Sequence, residues 1–310
     1  MGDFLGLASA KHVLSTLFSG QLEANMFDHQ GSLGEGHVDA IKSAIADGRA
    51  GFNTQAVRPV AASDGVFYQE CLATIQGVDG ILYGAGSFIP QLEASGHISL
   101  LDQNMLRLVL SELDRDRDAV FGCNISADNL SDRAAWHGIS GQIRSRPDLA
   151  SRLILELTET RPLSDMASTS AMLAEVREVG CKIALDDFGT GYASPALVRL
   201  LDFDIVKIDR SFLDPIGPST FYDESLAHFI NFASCYSPII VMEGIETVEQ
   251  AQLAALSGAT HLQGYGISRP LPAGQRMHAA ERPYCEKTLG DHAGGLSQVW
   301  PQRVTADRFF

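Results

Sequence analysis

The sequence predicts an α/β protein of the TIM-like (β/α)8 barrel class with an antiparallel first strand, and three observations carry that expectation. Eight apolar, β-rich runs are spaced along the chain, at 51–60, 66–75, 119–126, 152–159, 181–188, 202–209, 238–245 and 260–267. Most gaps between them repeat apolar residues at the helical period, as in LLDQNMLRLVLSELDR (100–115), DMASTSAMLAEVREVG (165–180), YDESLAHFINFASCY (222–236) and TVEQAQLAALSGA (247–259). Strand and helix in turn imply parallel β-α units. The first gap, AASDG at 61–65, is a turn far too short for a crossover helix, so strands one and two are expected to be antiparallel.

Composition bounds the rest. A chain of 310 residues with 45% hydrophobic content can bury a large core. Its 23 Lys and Arg against 38 Asp and Glu give a formal charge of −15, which argues against polymeric nucleic acid or anionic membrane as a partner. An anionic substrate would need a local cation to hold it. No apolar run reaches the ~18 residues needed to span a bilayer, and the opening stretch is broken by Lys11 and His12. The five cysteines, Cys71, Cys123, Cys181, Cys235 and Cys285, are scattered with no C-x-x-C pair. Neither a disulfide framework nor a zinc site is expected, and a reducing cytoplasm fits best.

Residues 1–36 lie outside the strand–helix pattern, residues 37–280 form the expected barrel domain, and 281–310 form a tail. The GSLGEG segment follows no strand and reads as a linker, not a phosphate loop. No internal repeat is present.

In such a barrel the active site is built at the C-terminal ends of the parallel strands. Here nearly every strand carries a polar group toward that end: Glu70, Asn124, Glu156 with Glu159, Asp186 with Asp187, Lys207 with Asp209, Glu243 with Glu246, and Gln263. So many carboxylates around one rim repel strongly unless cations neutralise them. Any one of them could be a solvated strand end or a salt bridge; the run of successive strands is what points to a site. Oxygen donors with one Asn and no Cys or His select Mg²⁺, Mn²⁺ or Ca²⁺ over zinc.

The segments ECLATI, NIS, ELTE, DDFGTGYAS, VKIDRSF, EGIET and QGYGISRPLP resemble, in order, the motifs of the bacterial EAL-domain cyclic di-GMP phosphodiesterases. SFIPQLEASGHI is similar to the family's segment after strand two. The resemblance spans roughly 37–275. It implies a TIM barrel with an inverted first strand, and hydrolysis of cyclic di-GMP to 5′-pGpG by a water activated between two Mg²⁺ or Mn²⁺ ions. Carried over by position, Glu70, Asn124, Glu156 and Asp186 would hold one ion and Asp186 with Asp187 the second. Glu243 would be the base and Lys207 would stabilise charge or hold water. Gln263 and Gln55 would help position the ligand, while Glu159 and Glu246 would support the loops beside the site. The family's habit of pairing near strands five and six makes a homodimer an expectation, and residues 1–36 are where a sensor or effector protein would engage.

The chain departs from the pattern in places. The signature triplet is ECL, and Cys71 reads as a small buried hydrophobe. Where the family has an Arg and then an aromatic residue after the triplet, this chain has Thr74 and Ile75. Losing a charge-assisted ligand contact costs about 1.5–3 kcal/mol, and Arg58 is a cation that could substitute. Ala56 stands where the family has Pro after Gln55. The alternative within the family is a receptor that holds cyclic di-GMP without cutting it. Such receptors usually lose carboxylates from the metal set, which here is complete, so hydrolysis is the favoured expectation. A Mg²⁺-dependent lyase or aldolase is a more distant reading. A kinase is excluded despite DFG, since no V-A-I-K or H-R-D accompanies it. No G-x-S-x-G or H-E-x-x-H occurs, which removes serine hydrolases and zincins.

Overall fold

The computed structural model describes residues 37–61, 65–158, 165–190, 195–213 and 222–274. Two compact units account for them, residues 37–51 with 73–97 and residues 52–72 with 98–274. The chain passes between the units within its first two strands and again from His97 to Ile98.

The smaller unit holds helix α1 (His37–Ala46), the first residues of β1 (Ala50–Pro59), the last of β2 (Tyr68–Gln76), β3 (Leu82–Gly84) and α2 (Ile89–Ala94). β2 and β3 pair antiparallel, with Thr74 opposite Gly84 and Ile75 opposite Tyr83. Asp79 forms their turn: its Oδ1 accepts from the Ile81 amide at 3.0 Å and its Oδ2 from the Tyr83 hydroxyl at 3.2 Å. Ile41, Phe88 and Leu92 form the buried centre of this unit.

The larger unit is the barrel. Beyond β1 and β2 it contains β4 (Phe121–Ile125), β5 (Leu153–Thr158), β6 (Lys182–Phe188), β7 (Ile205–Ile208), β8 (Ile239–Met242), β9 (His261–Leu262) and the short β10 (Leu271–Pro272). The ladder runs β1-β9-β8-β7-β6-β5-β4-β2 and closes through a β1–β2 pairing. From β2 to β9 neighbouring strands are parallel, with Glu70 beside Gly122, Asn124 beside Glu156 and Lys207 beside Val241. β1 runs against them, pairing antiparallel with β9 through Arg58 and Leu262. The inverted first strand expected from the short first gap is therefore present.

The helices of this unit are α3 (Ile98–Arg115), α4 (Asp128–Ser131), α5 (Arg133–Arg144), α6 (Pro147–Ala150), α7 (Met166–Arg177), α8 (Pro195–Leu201), α9 (Tyr222–Ser234) and α10 (Val248–Leu256). Their starts are set by side chains that satisfy orphan amides. Asp132 accepts from the amides of Ala134 and Ala135, Asp165 from those of Ala167 and Ser168, and Thr247 forms a capping box with Gln250. α3 buries Leu101, Met105, Leu106, Val109 and Leu113 along one stripe.

Three details differ from the sequence reading. The eighth barrel strand is reduced to His261–Leu262, because the chain turns at Gly264 through Ile267. β3 and β10 were not expected, being too short for alternation to register. The unbroken helix Arg133–Arg144, whose sequence carries Gly138 and Gly141, was also not expected. Residues 1–36, Glu159, Gly191, Cys285 and the tail from 281 lie outside the described residues.

Candidate functional site

Alternation along the strands puts every second side chain inside the barrel. One inward layer is apolar and closely packed, formed by Val57, Tyr68, Ile154, Ala184, Ile205 and Val241. The next inward residue toward the C-terminal rim is Glu70 after Tyr68, Glu156 after Ile154, Asp186 after Ala184, Lys207 after Ile205 and Glu243 after Val241. A dry layer thus floors a charged one, and the charged groups stand where a strong local field can form.

Lys207 is at the centre, with no exposed surface. Its Nζ lies 3.0 Å from Glu70 Oε2, 2.7 Å from Glu156 Oε2, 2.7 Å from Asp186 Oδ1 and 2.9 Å from Glu243 Oε1. Burial works against its charge, but the carboxylates of Asp186, Glu156, Glu243 and Glu70 outweigh it and hold the ammonium far above its usual pKa. It is a fixed cation among acids.

Glu70 is the most firmly held of these acids. Besides Lys207, its Oε1 accepts from Asn124 Nδ2 at 2.8 Å and its Oε2 from Gln263 Nε2 at 2.5 Å. Burial alone would raise its pKa; Lys207 and the two amides reverse that and bring it below the usual value. The chain of amides continues outward, since Gln263 Nε2 also reaches Gln55 Oε1 at 3.3 Å and Gln55 Nε2 donates to the Ser268 carbonyl at 2.9 Å. Gln55 arrives on the inverted β1, and joins a network otherwise built from parallel strands. Behind Asn124, the buried Asp102 of α3 accepts from the Ser126 amide at 2.8 Å and from Asn129 Nδ2 at 2.6 Å, bracing the loop that leaves β4.

Asp186 and Asp187 are sequential, so an unbroken strand would send their side chains to opposite faces. It is broken here. The β6–β7 register shifts between Leu185 and Phe188, and Asp187 adopts a left-handed backbone with φ 54°. Asp and Asn tolerate that region better than other non-glycine residues. Gly189 follows at φ 106°, where a β-carbon would run into Phe212 and Phe229. The outcome is two overlapping acidic clusters, Glu70–Glu156–Asp186 and Asp186–Asp187–Glu243, each offering ligand atoms within 4.8 Å of one another. Asp186 belongs to both.

Five carboxylates around one ammonium are not balanced. Burial, with Glu70 and Asp186 adding to it, raises Glu156 to about 8 even against Lys207. Burial and then Asp186 raise Asp187 to about 7. Burial likewise lifts Asp186 and, by more, Glu243. Asn124 Oδ1 and Glu156 Oε1 are among the site's buried oxygens that accept no hydrogen bond. Buried acceptors are rarely left so, and hard-cation binding would satisfy both while removing the repulsion. The residue set fits a divalent metal bound by oxygen.

The structure brings Gln55, Glu70, Asn124, Glu156, Asp186, Asp187, Lys207, Glu243 and Gln263 into one network. Glu246 stands apart: it is half-exposed and pairs with Arg210 at 3.3 Å. Asp209 accepts from the Ser211 amide at 2.9 Å and opens the 3₁₀ turn Arg210–Leu213. Thr74 and Ile75 are buried. Tyr68, whose hydroxyl lies 3.4 Å from Glu156 Oε2, was missed in the sequence because an aromatic in a strand reads as core. Its place two residues before Glu70, on the same strand face, was the available signal.

A family model described as the EAL domain matches residues 38–270. The chain belongs to the EAL domain family. Among curated relatives of this EAL chain, a probable cyclic di-GMP phosphodiesterase, PdeN of Escherichia coli K12, is 32% identical over 203 residues, 64% of this chain and 39% of PdeN. The cyclic di-GMP phosphodiesterase NbdA of Pseudomonas aeruginosa is 32% identical over 243 residues, 76% of this chain and 30% of NbdA. The chain therefore spans about a third of the length of these relatives. Among solved structures, the EAL-domain protein YkuI of Bacillus subtilis, in complex with substrate c-di-GMP and calcium, is 25% identical with a TM-score of 0.66, covering 82% of this chain and 62% of YkuI. No helix among the described residues of this EAL chain is long and apolar enough to cross a membrane.

Proposed function

We propose that this EAL chain is a phosphodiesterase that opens cyclic di-GMP to 5′-pGpG with divalent cations, Mg²⁺ or Mn²⁺. The observation that carries the reading is the left-handed turn at Asp187, which builds a second acidic cluster sharing Asp186 with the first. A carboxylate shared by two clusters is what a two-cation phosphoryl site requires. The relatives' printed activities support the substrate class.

In this reading Glu70, Asn124, Glu156 and Asp186 would hold one cation, and Asp186 with Asp187 would hold the other. When bound, the cations supply charge neutralisation at the phosphoryl oxygens and a water acidic enough to attack at neutral pH. The chain's own groups do the rest. Lys207 keeps the carboxylates converged and adds a fixed positive charge for the transition state. Glu243, whose pKa burial raises well above the usual value, accepts the proton of the attacking water. A bond forms between that water's oxygen and phosphorus, the P–O3′ bond breaks, and the 3′ oxygen leaves with a proton from solvent. Gln55 and Gln263 hold the rim in register.

The second reading, a receptor that binds without cutting, is favoured by one observation: Thr74 and Ile75 occupy the positions of the family's Arg and aromatic residue. Incubation of the purified protein with cyclic di-GMP and Mg²⁺ or Mn²⁺, with 5′-pGpG followed by chromatography, separates the two. Product supports the enzyme. Tight binding with no product in either metal supports the receptor, and neither binding nor product removes both.

A further inference from the structure

We propose that Tyr68 is a positioning residue for the metal site, orienting Glu156 through its hydroxyl, and that Gly122 supplies the space in which the free oxygen of Glu156 stands. The inference rests on the metal-binding reading above. Three observations carry it.

Tyr68 is 1% exposed and lies in the apolar layer beneath the charged one, where its neighbours are Val57, Ile154, Ala184, Ile205 and Val241. A hydroxyl in such surroundings is costly unless it is hydrogen-bonded, and a phenylalanine would pack the same ring at no such cost. The hydroxyl donates to Glu156 Oε2 at 3.4 Å.

Lys207 Nζ meets that same oxygen at 2.7 Å. Both donors therefore fall on one side of the carboxylate, while Oε1 accepts from no group and is buried. A carboxylate with a lone donor can pivot about its terminal torsion, which is broad and soft. Two donors on Oε2, arriving from β2 and β7, fix the plane of a carboxylate that belongs to the cluster with Glu70 and Asp186, and they leave Oε1 as its unpaired oxygen.

Gly122 explains how both side chains fit. It stands in β4 between Glu70 on one side and Ile154 on the other. Its backbone does not have a positive φ, so conformation does not require glycine there. Space does. A β-carbon on Gly122 would collide with Glu156 Oε1 and lie 2.8 Å from Tyr68 Cε2. The tyrosine ring and the carboxylate together occupy what any other residue would fill.

The test is Tyr68→Phe, read by Mn²⁺ alone, with free Mn²⁺ followed by electron paramagnetic resonance and no nucleotide present. Half-saturation is expected to rise about three- to tenfold, while the metal-free unfolding midpoint stays close to the parent's. Gly122→Ala is expected to weaken Mn²⁺ binding more, by displacing Oε1 itself. A Tyr68→Phe protein that binds Mn²⁺ within about twofold of the parent overturns the proposal, as does one that loses stability with no change in Mn²⁺ affinity. A parent that binds Mn²⁺ but does not cut cyclic di-GMP sinks the hydrolase reading and leaves this test fully readable. A parent that binds no Mn²⁺ overturns the inference.

Discussion

Lys207 Nζ and Glu156 Oε2 lie 2.7 Å apart, and neither side chain has any exposed surface. Removing one partner of a buried ion pair leaves an uncompensated charge, at a cost of about 3–5 kcal/mol. Here four paired carboxylates, those of Glu70, Glu156, Asp186 and Glu243, would be left behind. Lys207→Met is expected to lower metal-free stability by that order in urea unfolding, with saturating Mn²⁺ restoring part of it. Equal destabilisation with and without Mn²⁺ would show that the carboxylates do not take up the ion.

Glu243 is held by Lys207 at 2.9 Å and shares a cluster with Asp186 and Asp187. Glu243→Gln preserves shape and removes the proposed proton acceptor. The variant is expected to bind cyclic di-GMP within a few-fold of the parent by calorimetry and to lose at least about 10² in turnover, the usual contribution of a general base. Glu70→Ala and Asp186→Ala are expected to act differently, abolishing turnover by removing the proposed metal ligands. Full activity in Glu70→Ala would refute the site.

Glu156 at about 8 and Asp187 at about 7 are raised by burial and by their acidic neighbours. A carboxyl whose folded pKa exceeds its unfolded value, roughly 4.3 for Glu, stabilises most below the unfolded pKa, and that contribution is lost as pH rises through the folded one. Metal-free protein is therefore expected to lose stability from this source between about pH 4.5 and 8. Cation binding must expel the protons, so Mn²⁺ affinity should climb over the same interval and level off above pH 8. Calorimetry in buffers of different ionisation heat should detect proton release on Mn²⁺ binding at pH 7; none would contradict the assignment.

His261 carries the opposite sign. Burial lowers it to about 4, and its ring rests on Phe67 at 4.5 Å between centroids. A histidine with a depressed folded pKa contributes stability present above its unfolded pKa of about 6.5, lost as pH falls toward 4. It stands on β9, the shortest strand of the barrel ring. His261→Gln is expected to flatten the acid side of the stability profile between pH 6.5 and 4, measured by thermal melts across that range. An unchanged acid limb would remove His261 as its source.

Much of this was legible from residue order. The inverted first strand followed from a five-residue gap, and the ring of acids from their position toward strand C-termini, since both depend on local spacing. The overlap of the two clusters was less accessible. That Asp187 follows Asp186 is plain in the sequence, but its turn into the site depends on a register shift against β7, a non-local pairing. Glu246 illustrates the reverse case: motif position put it beside Glu243, while tertiary geometry gave it to Arg210 on the surface. Tyr68 and Gly122 were hidden because each looks ordinary alone, and their meaning lies in shared volume.

The backbone at Asp187 has one more consequence. Asparagine accepts the same left-handed turn almost as readily as aspartate. Exchanging a single oxygen for an amide nitrogen there would keep the loop, the register shift and the shape of the rim, and remove one anion from the shared cluster. In the two-cation reading proposed above, a chain that cuts and a chain that only binds would then differ by one nucleotide change on the same backbone. On this scaffold the passage from enzyme to sensor is short.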